Sequence, residues 1–541
     1  MKNAKITQRL IAALLASIML IATLPLASAE EGVTQGIVAV TVDSDILMNA
    51  HEITAAMGIG WNLGNTFDSR GGTAGNVMSF ETSWLGGTPD RATSLTLIKK
   101  VKELGFNSIR VPVTWSRAAS PENNWDIWDE YIERIHEVVT WAYDEGLYIV
   151  INIHHDDNAI PLASGPVRQI TDEVGRITDE DKAEAEFFIG RIWEQVSERF
   201  EAFGQRLIFE GMNEPRTVGS RMEWQGGTEH ERDMINHLNQ LFVDTVRASG
   251  GNNLNRMLML PTYAASAETT TLRAFVKPED VSANLLALSV HTYSPFTWAH
   301  DGTGRYNGRS SIEATFNRLA TRSRALDMPV VLGEWGSVNN VNNVENTSAA
   351  VRARHARDYV YMAASRGMAT IWWDNGDGRG RSVTSGSTHG FGLINRTYPH
   401  APYYPQIVTG MLNGQLEANL EAQGEVVLVC DEFDPCKSCE SCDFLGGRYG
   451  FGRITNNRAN KEPVLVDALA ILRYIVGLPS VIATNANARA AASITNPESG
   501  EPNINDALAI LRFIIGMDSP LNAVYSSATT VVSREQAERL L

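Results

Sequence analysis

The stretch RLIFEGMNE (206–214) is an apolar run that ends in an amide and a carboxylate, and Pro215 follows at once. A buried strand has little use for Asn213 and Glu214, so the chain either turns there or binds something there. The same pattern recurs in GIGWNLGN (58–65), SIRVPVTW (108–115), YIVINIHH (148–155), RMLMLPTY (256–263), LLALSVHTY (285–293), VVLGEW (330–335) and TIWWDNG (370–376). Each is a short β-rich run closed by polar residues. Several of the stretches between them have helical spacing, such as WDEYIERIHEVVTWAYDEG and VRARHARDYVYMAASRG. Eight strands alternating with helices predict an α/β chain, a (β/α)8 TIM barrel spanning 45–413. A doubly wound open sheet is the alternative, but no glycine-rich phosphate loop follows the first run.

The flanks are of a different character. Residues 1–29 carry basic Lys2, Lys5 and Arg9, an apolar run and Ala27-Ser28-Ala29, which together predict a cleaved secretory signal peptide. The apolar run is shorter than the ~20 residues a membrane span needs. A polar leader covers 30–44. The net charge of −17 becomes more negative still once the signal is removed. Such a surface disfavours nucleic acid and anionic lipid and suits a neutral substrate, so neither nucleic acid nor membrane is an expected partner. Cys430, Cys436, Cys439 and Cys442 all fall in an acidic, glycine-rich linker, 414–449. In an exported chain they predict two local disulfides with three possible connectivities, and a small zinc knuckle is the rival. Within 450–520, DALAILRYIVGLPS (467–480) and DALAILRFIIGMDS (506–519) match at ten of fourteen positions. Each predicts an amphipathic helix opened by an aspartate, and the pair predicts a small two-helix module. Residues 521–541 form a tail.

In a barrel of this kind chemistry gathers where strands end. The polar residues at those ends are Asn65, Arg110, His154, His155, Asn213, Glu214, His291, Tyr293 and Glu334, followed by Trp373. Any one of them is as well explained by a turn, a cap or a salt bridge. Eight loops placing polar groups toward one mouth are not. Two carboxylates on different strands are what hydrolysis of a glycosidic bond requires. No nucleophile elbow and no HExxH pattern is present. His154 and His155 are adjacent, so on a strand they would point apart, which disfavours a shared metal. Trp61, Trp84, Trp115, Trp298 and Trp373 lie in or near these loops, where an aromatic face can pack on a pyranose. Trp61 and Trp115 suit core packing equally well.

GWNLGN, IRVPVTW, NIHHD, FEGMNEP, SVHTYSP, VLGEWG and IWWDNG resemble, in order, the barrel motifs of glycoside hydrolase family 5, nearest its bacterial endoglucanase, lichenase and xyloglucanase branch. The resemblance implies a retaining hydrolase of β-1,4-glucans without a cofactor. Glu214 would be the acid/base and Glu334 the nucleophile. Asn213 would hold the sugar 2-hydroxyl, with Arg110 and Tyr293 around the nucleophile. His154, His155, His291 and Asn65 would line the substrate site, and Trp373 would lie beneath the sugar. On this reading Pro215 breaks the strand so that Glu214 turns into the cleft. Desolvation and a nearby carboxylate would raise the pKa of Glu214, while Arg110 keeps Glu334 ionised. Xyloglucanase, lichenase or mannanase action is the alternative within the class. A non-catalytic carbohydrate-binding or scaffold protein is the alternative outside it, disfavoured because both glutamates are present.

The C-terminal repeat resembles a dockerin, which implies a cohesin-bearing scaffold as partner. Asp467 and Asp506 would close its two calcium loops. NNRANKEPVLVD and TNPESGEPNIND lack the usual run of aspartates, however, and Lys461 stands where the turn glycine belongs, so calcium is not expected there.

Overall fold

The computed structural model describes residues 47–156, 178–378 and 390–422. The segments read from the sequence as a signal peptide and leader, the cysteine cluster and the repeat lie outside them. Eight parallel strands follow one another in sequence order around a closed barrel: β1 (Ile59–Asn62), β2 (Ser108–Val111), β3 (Tyr148–Asn152), β4 (Leu207–Glu210), β5 (Leu258–Ser266), β6 (Leu286–His291), β7 (Val330–Trp335) and β8 (Ala369–Trp372). β8 returns beside β1, with Ile371 opposite Gly60. Each of the eight runs supplies one strand. Helices such as Asp129–Asp144, Asp179–Arg199, Glu229–Ala248 and Ala349–Ala364 fill the intervals. Thr228 and Ser348 open the last two by accepting a backbone N–H of the first turn. No helix among the described residues is long and apolar enough to cross a membrane.

The two-residue period of the strands sorts their side chains into two populations. Ile149, Ile151, Leu207, Phe209, Leu258, Leu260, Leu286, Leu288, Val330 and Leu332 join the main core under the helices. The alternate residues Val150, Ile208, Met259, Ala287, Val331 and Ile371 form a second cluster with Ala50, Ile53 and Met57. Those three belong to the helix Ala50–Met57, which starts from an Asn49 capping box and plugs the end where the strands begin. Two residues further along the strands the inward positions turn polar. Asn62, Arg110, Asn152, Glu210 and Ser289 are all fully buried, and Asn62 pairs in register with Arg110, Asn152 with Glu210. An apolar floor therefore carries a polar layer at the C-terminal mouth, where barrels of this kind build their sites.

Two local features shape that mouth. β5 slips register between Pro261 and Ser266, and there Ala264 and Ala265 adopt φ of 54° and 46°. L-residues pay roughly 1–2 kcal/mol each for that conformation, and a 2.9 Å bond from Ala264 N to Pro215 O helps to hold it. Asp374, just past β8, ties the closing seam together. Its Oδ2 accepts from Trp61 Nε1 at 2.7 Å and from the backbone of Leu393 and Ile394 at 2.9 and 2.8 Å.

The helix Pro405–Ala422 runs past residue 413, at which the composition places the start of the linker. Its glycines are packing residues. A Cβ at Gly410 would stand 2.3 Å from Ala353 O, and one at Gly414 would stand 2.3 Å from Arg357 O. The helix therefore touches Ala349–Ala364 backbone to backbone.

Candidate active site

Above the polar layer lies a cleft of about 1830 Å3 lined by Asn65, His154, His155, Asn213, Glu214, His291, Tyr293, Glu334 and Trp373. Nine of the ten residues singled out from the sequence thus share one cavity. The tenth, Arg110, lies fully buried beneath it. It is not a sugar contact, which corrects its grouping with the substrate-binding residues. Its guanidinium donates to Glu210 Oε2 at 2.8 Å, Asn62 Oδ1 at 3.0 Å, Glu334 Oε1 at 3.0 Å and Asn213 Oδ1 at 2.7 Å.

Glu334 stands on β7 beside His291 of β6. Its second oxygen accepts from Tyr293 Oη at 3.1 Å. Burial and the neighbouring carboxylates hold the Tyr293 phenol protonated well above its usual range, so it remains a donor. Asn213 gives its carbonyl to Arg110, which leaves its amide nitrogen to donate into the cleft. Glu214 Oε1 accepts from His291 Nδ1 at 2.8 Å. The nearest ligand atoms of Glu214, His291 and Glu334 all fall within 4.8 Å of one another.

Glu214 does turn into the cleft, but not for the expected reason. β4 ends at Glu210, and the chain leaves at Gly211, where a Cβ would come 2.8 Å from the Phe242 ring. Pro215 comes after the turn. The proton order also differs from expectation. Burial pushes Glu214 up, but the hydrogen bond from His291 and the charge of Arg216 outweigh it and bring the pKa to about 2. Burial raises Glu334, and His291 and Arg110 oppose that rise without cancelling it. His291 is lowered by burial but raised overall by Glu334 and by its bond to Glu214. Glu214 and His291 are thus joined by their 2.8 Å hydrogen bond into one titrating pair beside Glu334.

His154 and His155 do not point apart. β3 stops at Asn152, and beyond it the two rings meet edge to face at 4.3 Å. With Asp68 they bring ligand atoms within 4.8 Å of one another. Asp68 already accepts from the backbone of Asn65 and Thr66 at 3.1 and 2.7 Å, which fixes Asn65 at φ 56° facing the cleft. Burial lifts Asp68 to about 7. Burial, followed by the charges of His155 and Arg110, keeps His154 neutral.

The tryptophans divide cleanly. Trp61, Trp115 and Trp298 are buried, their indole N–H groups bonded to Asp374, Asn152 O and Asn346 O. Trp84 and Trp373 line the cleft. Trp373 lies parallel to His154 at 5.8 Å, and Trp84 rests on His155 at 5.8 Å. Glu210, Asn62 and Asn152 are hidden in the sequence inside apolar runs, and Asp68 in a polar loop with no motif to mark it. Trp224, which also lines the cleft, was overlooked although RMEWQGGT sets a lone aromatic in a polar, glycine-bearing loop.

Cleaving a glycosidic bond with retention takes two carboxyl groups about 5–5.5 Å apart, together with apolar ring faces for the sugar. Glu214 and Glu334 bring carboxylate oxygens within 4.8 Å of one another across the cleft, and Trp373 and Trp84 supply the faces, so the barrel and its cleft are those of a glycoside hydrolase. The family model for cellulases, glycosyl hydrolase family 5, matches residues 67–379, and the chain belongs to that family. It is 36% identical over 376 residues to the cellulase/esterase CelE of Acetivibrio thermocellus, spanning 68% of this chain and 40% of that one. It is 34% identical to endoglucanase A of Clostridium longisporum, over 70% of this chain and 69% of the relative. A solved broad-specificity endoglucanase from Ruminococcus champanellensis with bound cellotriose superposes with a TM-score of 0.59. It is 35% identical and covers 68% of this chain and 99% of its own.

Glu210 is the partner that balances Arg110 within the barrel. Glu210→Gln should cost about 3 kcal/mol or more, because it leaves a buried guanidinium short of a charge. A urea melt of the variant should show a lowered midpoint.

Proposed function

We propose that this protein is an endo-acting, retaining glycoside hydrolase that cleaves the β-1,4 linkages of glucans, with Glu334 as nucleophile and Glu214 as acid/base. The observation that carries the reading is the pair itself, two carboxylates within 4.8 Å of one another over a buried arginine. Trp373 would seat the sugar under attack. Glu334, held at Oε1 by Arg110 and at Oε2 by Tyr293, attacks the anomeric carbon while the bond to the leaving oxygen breaks. Glu214 protonates that oxygen. The 2.8 Å hydrogen bond between His291 and Glu214 makes the two one titrating pair, which supplies that proton. Asn213 donates to the 2-hydroxyl, a bond that strengthens as the ring gains oxocarbenium character. Glu214 then takes a proton from water, and the hydroxide releases the sugar from Glu334.

An endo mode is supported by a cleft flanked by Trp84 and Trp224, 39% and 64% exposed, which leaves room for a chain to extend both ways. The loops that carry these residues set the preference among glucans. Reducing-sugar release from carboxymethylcellulose, xyloglucan, lichenan and mannan would rank them. The first 29 residues support export, so N-terminal sequencing of secreted protein should begin near Glu30. The C-terminal repeat supports a protein-binding module, and a cohesin pull-down with and without chelator tests it. Failure to bind under either condition removes the scaffold partner.

Glu214→Gln should lower turnover on unactivated polysaccharide about 10²–10⁴-fold with the fold retained. Glu334→Gln should abolish it. Near wild-type activity in either would refute the assignment. The pH profile should be bell-shaped. Activity falls on the acid side as Glu334, whose pKa lies above the ordinary 4.5, becomes protonated. It falls on the alkaline side as the Glu214–His291 pair loses its proton, at a pH above the ordinary histidine value of 6.5.

A further inference from the structure

Arg216 takes no part in the steps above, yet it contacts the acid directly. Its Nη1 donates to Glu214 O at 3.0 Å and to Glu214 Oε2 at 3.3 Å. Its Nε donates to Glu223 Oε1 at 3.1 Å, and Glu223 Oε2 accepts the Gly219 N–H at 2.7 Å. One face of the guanidinium lies 4.8 Å over the Trp224 ring. The loop after β4 is therefore folded around one cation, with Glu214 at one end of it and Trp224 at the other.

The cleft has two aromatic flanks. Trp373, His154, His155 and Trp84 form a continuous series of ring contacts at 5.8, 4.3 and 5.8 Å. That series runs out from Trp373, the residue read as seating the sugar that Glu334 attacks. Trp224 lines the cleft and is tied through Arg216 to Glu214, the residue read as protonating the departing oxygen. Trp224 is 64% exposed there with Arg216 packed on its ring, so it presents an aromatic face on which a pyranose can stack.

We propose that Arg216 is a positioning residue that joins Trp224 to Glu214, making Trp224 the platform for the sugar on the leaving side and holding the proton donor in line with it. The inference rests on the glycoside hydrolase reading of Glu214. The carboxyl is gripped from both sides, Oε1 by His291 and Oε2 by Arg216. The other charged or titratable groups that face it are His155 and Glu334. Loss of Arg216 removes a positive charge that favours the ionised form, so the pair keeps its proton to higher pH.

The test is the pH dependence of kcat/KM for cellopentaose in the full chain. In Arg216→Gln the alkaline limb should move up by about one pH unit, and in Arg216→Lys, which restores the charge, it should return. A purely structural arginine would lower the rate without moving the limb, and an unmoved limb in Arg216→Gln overturns the proposal. Should that variant fail to fold, Trp224→Ala at an exposed position carries the test. The ratio of kcat/KM for cellopentaose to that for cellotriose should fall about tenfold, and an unchanged ratio overturns it. Turnover surviving in Glu214→Gln would instead defeat the hydrolase reading. Dependence on both glutamates, with limb and length preference unmoved, defeats only the roles of Arg216 and Trp224.

Discussion

A guanidinium with no access to water sits at the centre of the barrel, and the site is arranged around its needs. A charge taken from water is costly unless its hydrogen bonds and its countercharge are both supplied. Strand parity supplies them for Arg110. It faces inward from β2 at the level where β1 presents Asn62 and β4 presents Glu210, while Glu334 and Asn213 arrive from the strand ends above. Asn152 and Ser289 complete the shell by donating to Glu210. One cation therefore fixes Glu334 and Asn213 in a single frame, and Glu210 offsets its charge so that Glu334 need not do so alone.

The barrel was legible because each strand is a compact apolar run and each ends in polar residues at the same mouth. The floor of the site was not. Asn62, Asn152 and Glu210 stand inside runs that otherwise alternate as a buried strand does. Their inward direction depends on where each strand begins, which periodicity alone leaves open by one residue. The same uncertainty governs His154 and His155. As strand residues they would face opposite ways, but β3 ends at Asn152 and the loop turns both into the cleft. Trp61, Trp115 and Trp298 look like sugar platforms by position. Their burial and the hydrogen bonds of their indoles show them to be core.

The proton order was the least legible part, because it depends on distances between side chains from four elements. Two carboxylates in a dry cleft suggest that the acid is the one with the raised pKa. Here burial acts on both, and the difference comes from cationic neighbours. His291 bonds to Glu214, and Arg216 stands on its other side, so Glu214 is the more readily ionised of the two. The imidazole of His291 packs closely against β7, and Gly333 makes room for it. A Cβ at that glycine would stand 2.9 Å from His291 Nε2.

Ala264 and Ala265 keep the wall of the cleft in a left-handed conformation without glycine. Glycine at either position would relieve the steric cost but would also add freedom to the unfolded chain and to the wall itself. The two alanines thus trade tolerance of heat for a rigid rim, and stabilising changes sought by consensus at these positions would slacken the surface against which a polymer is threaded.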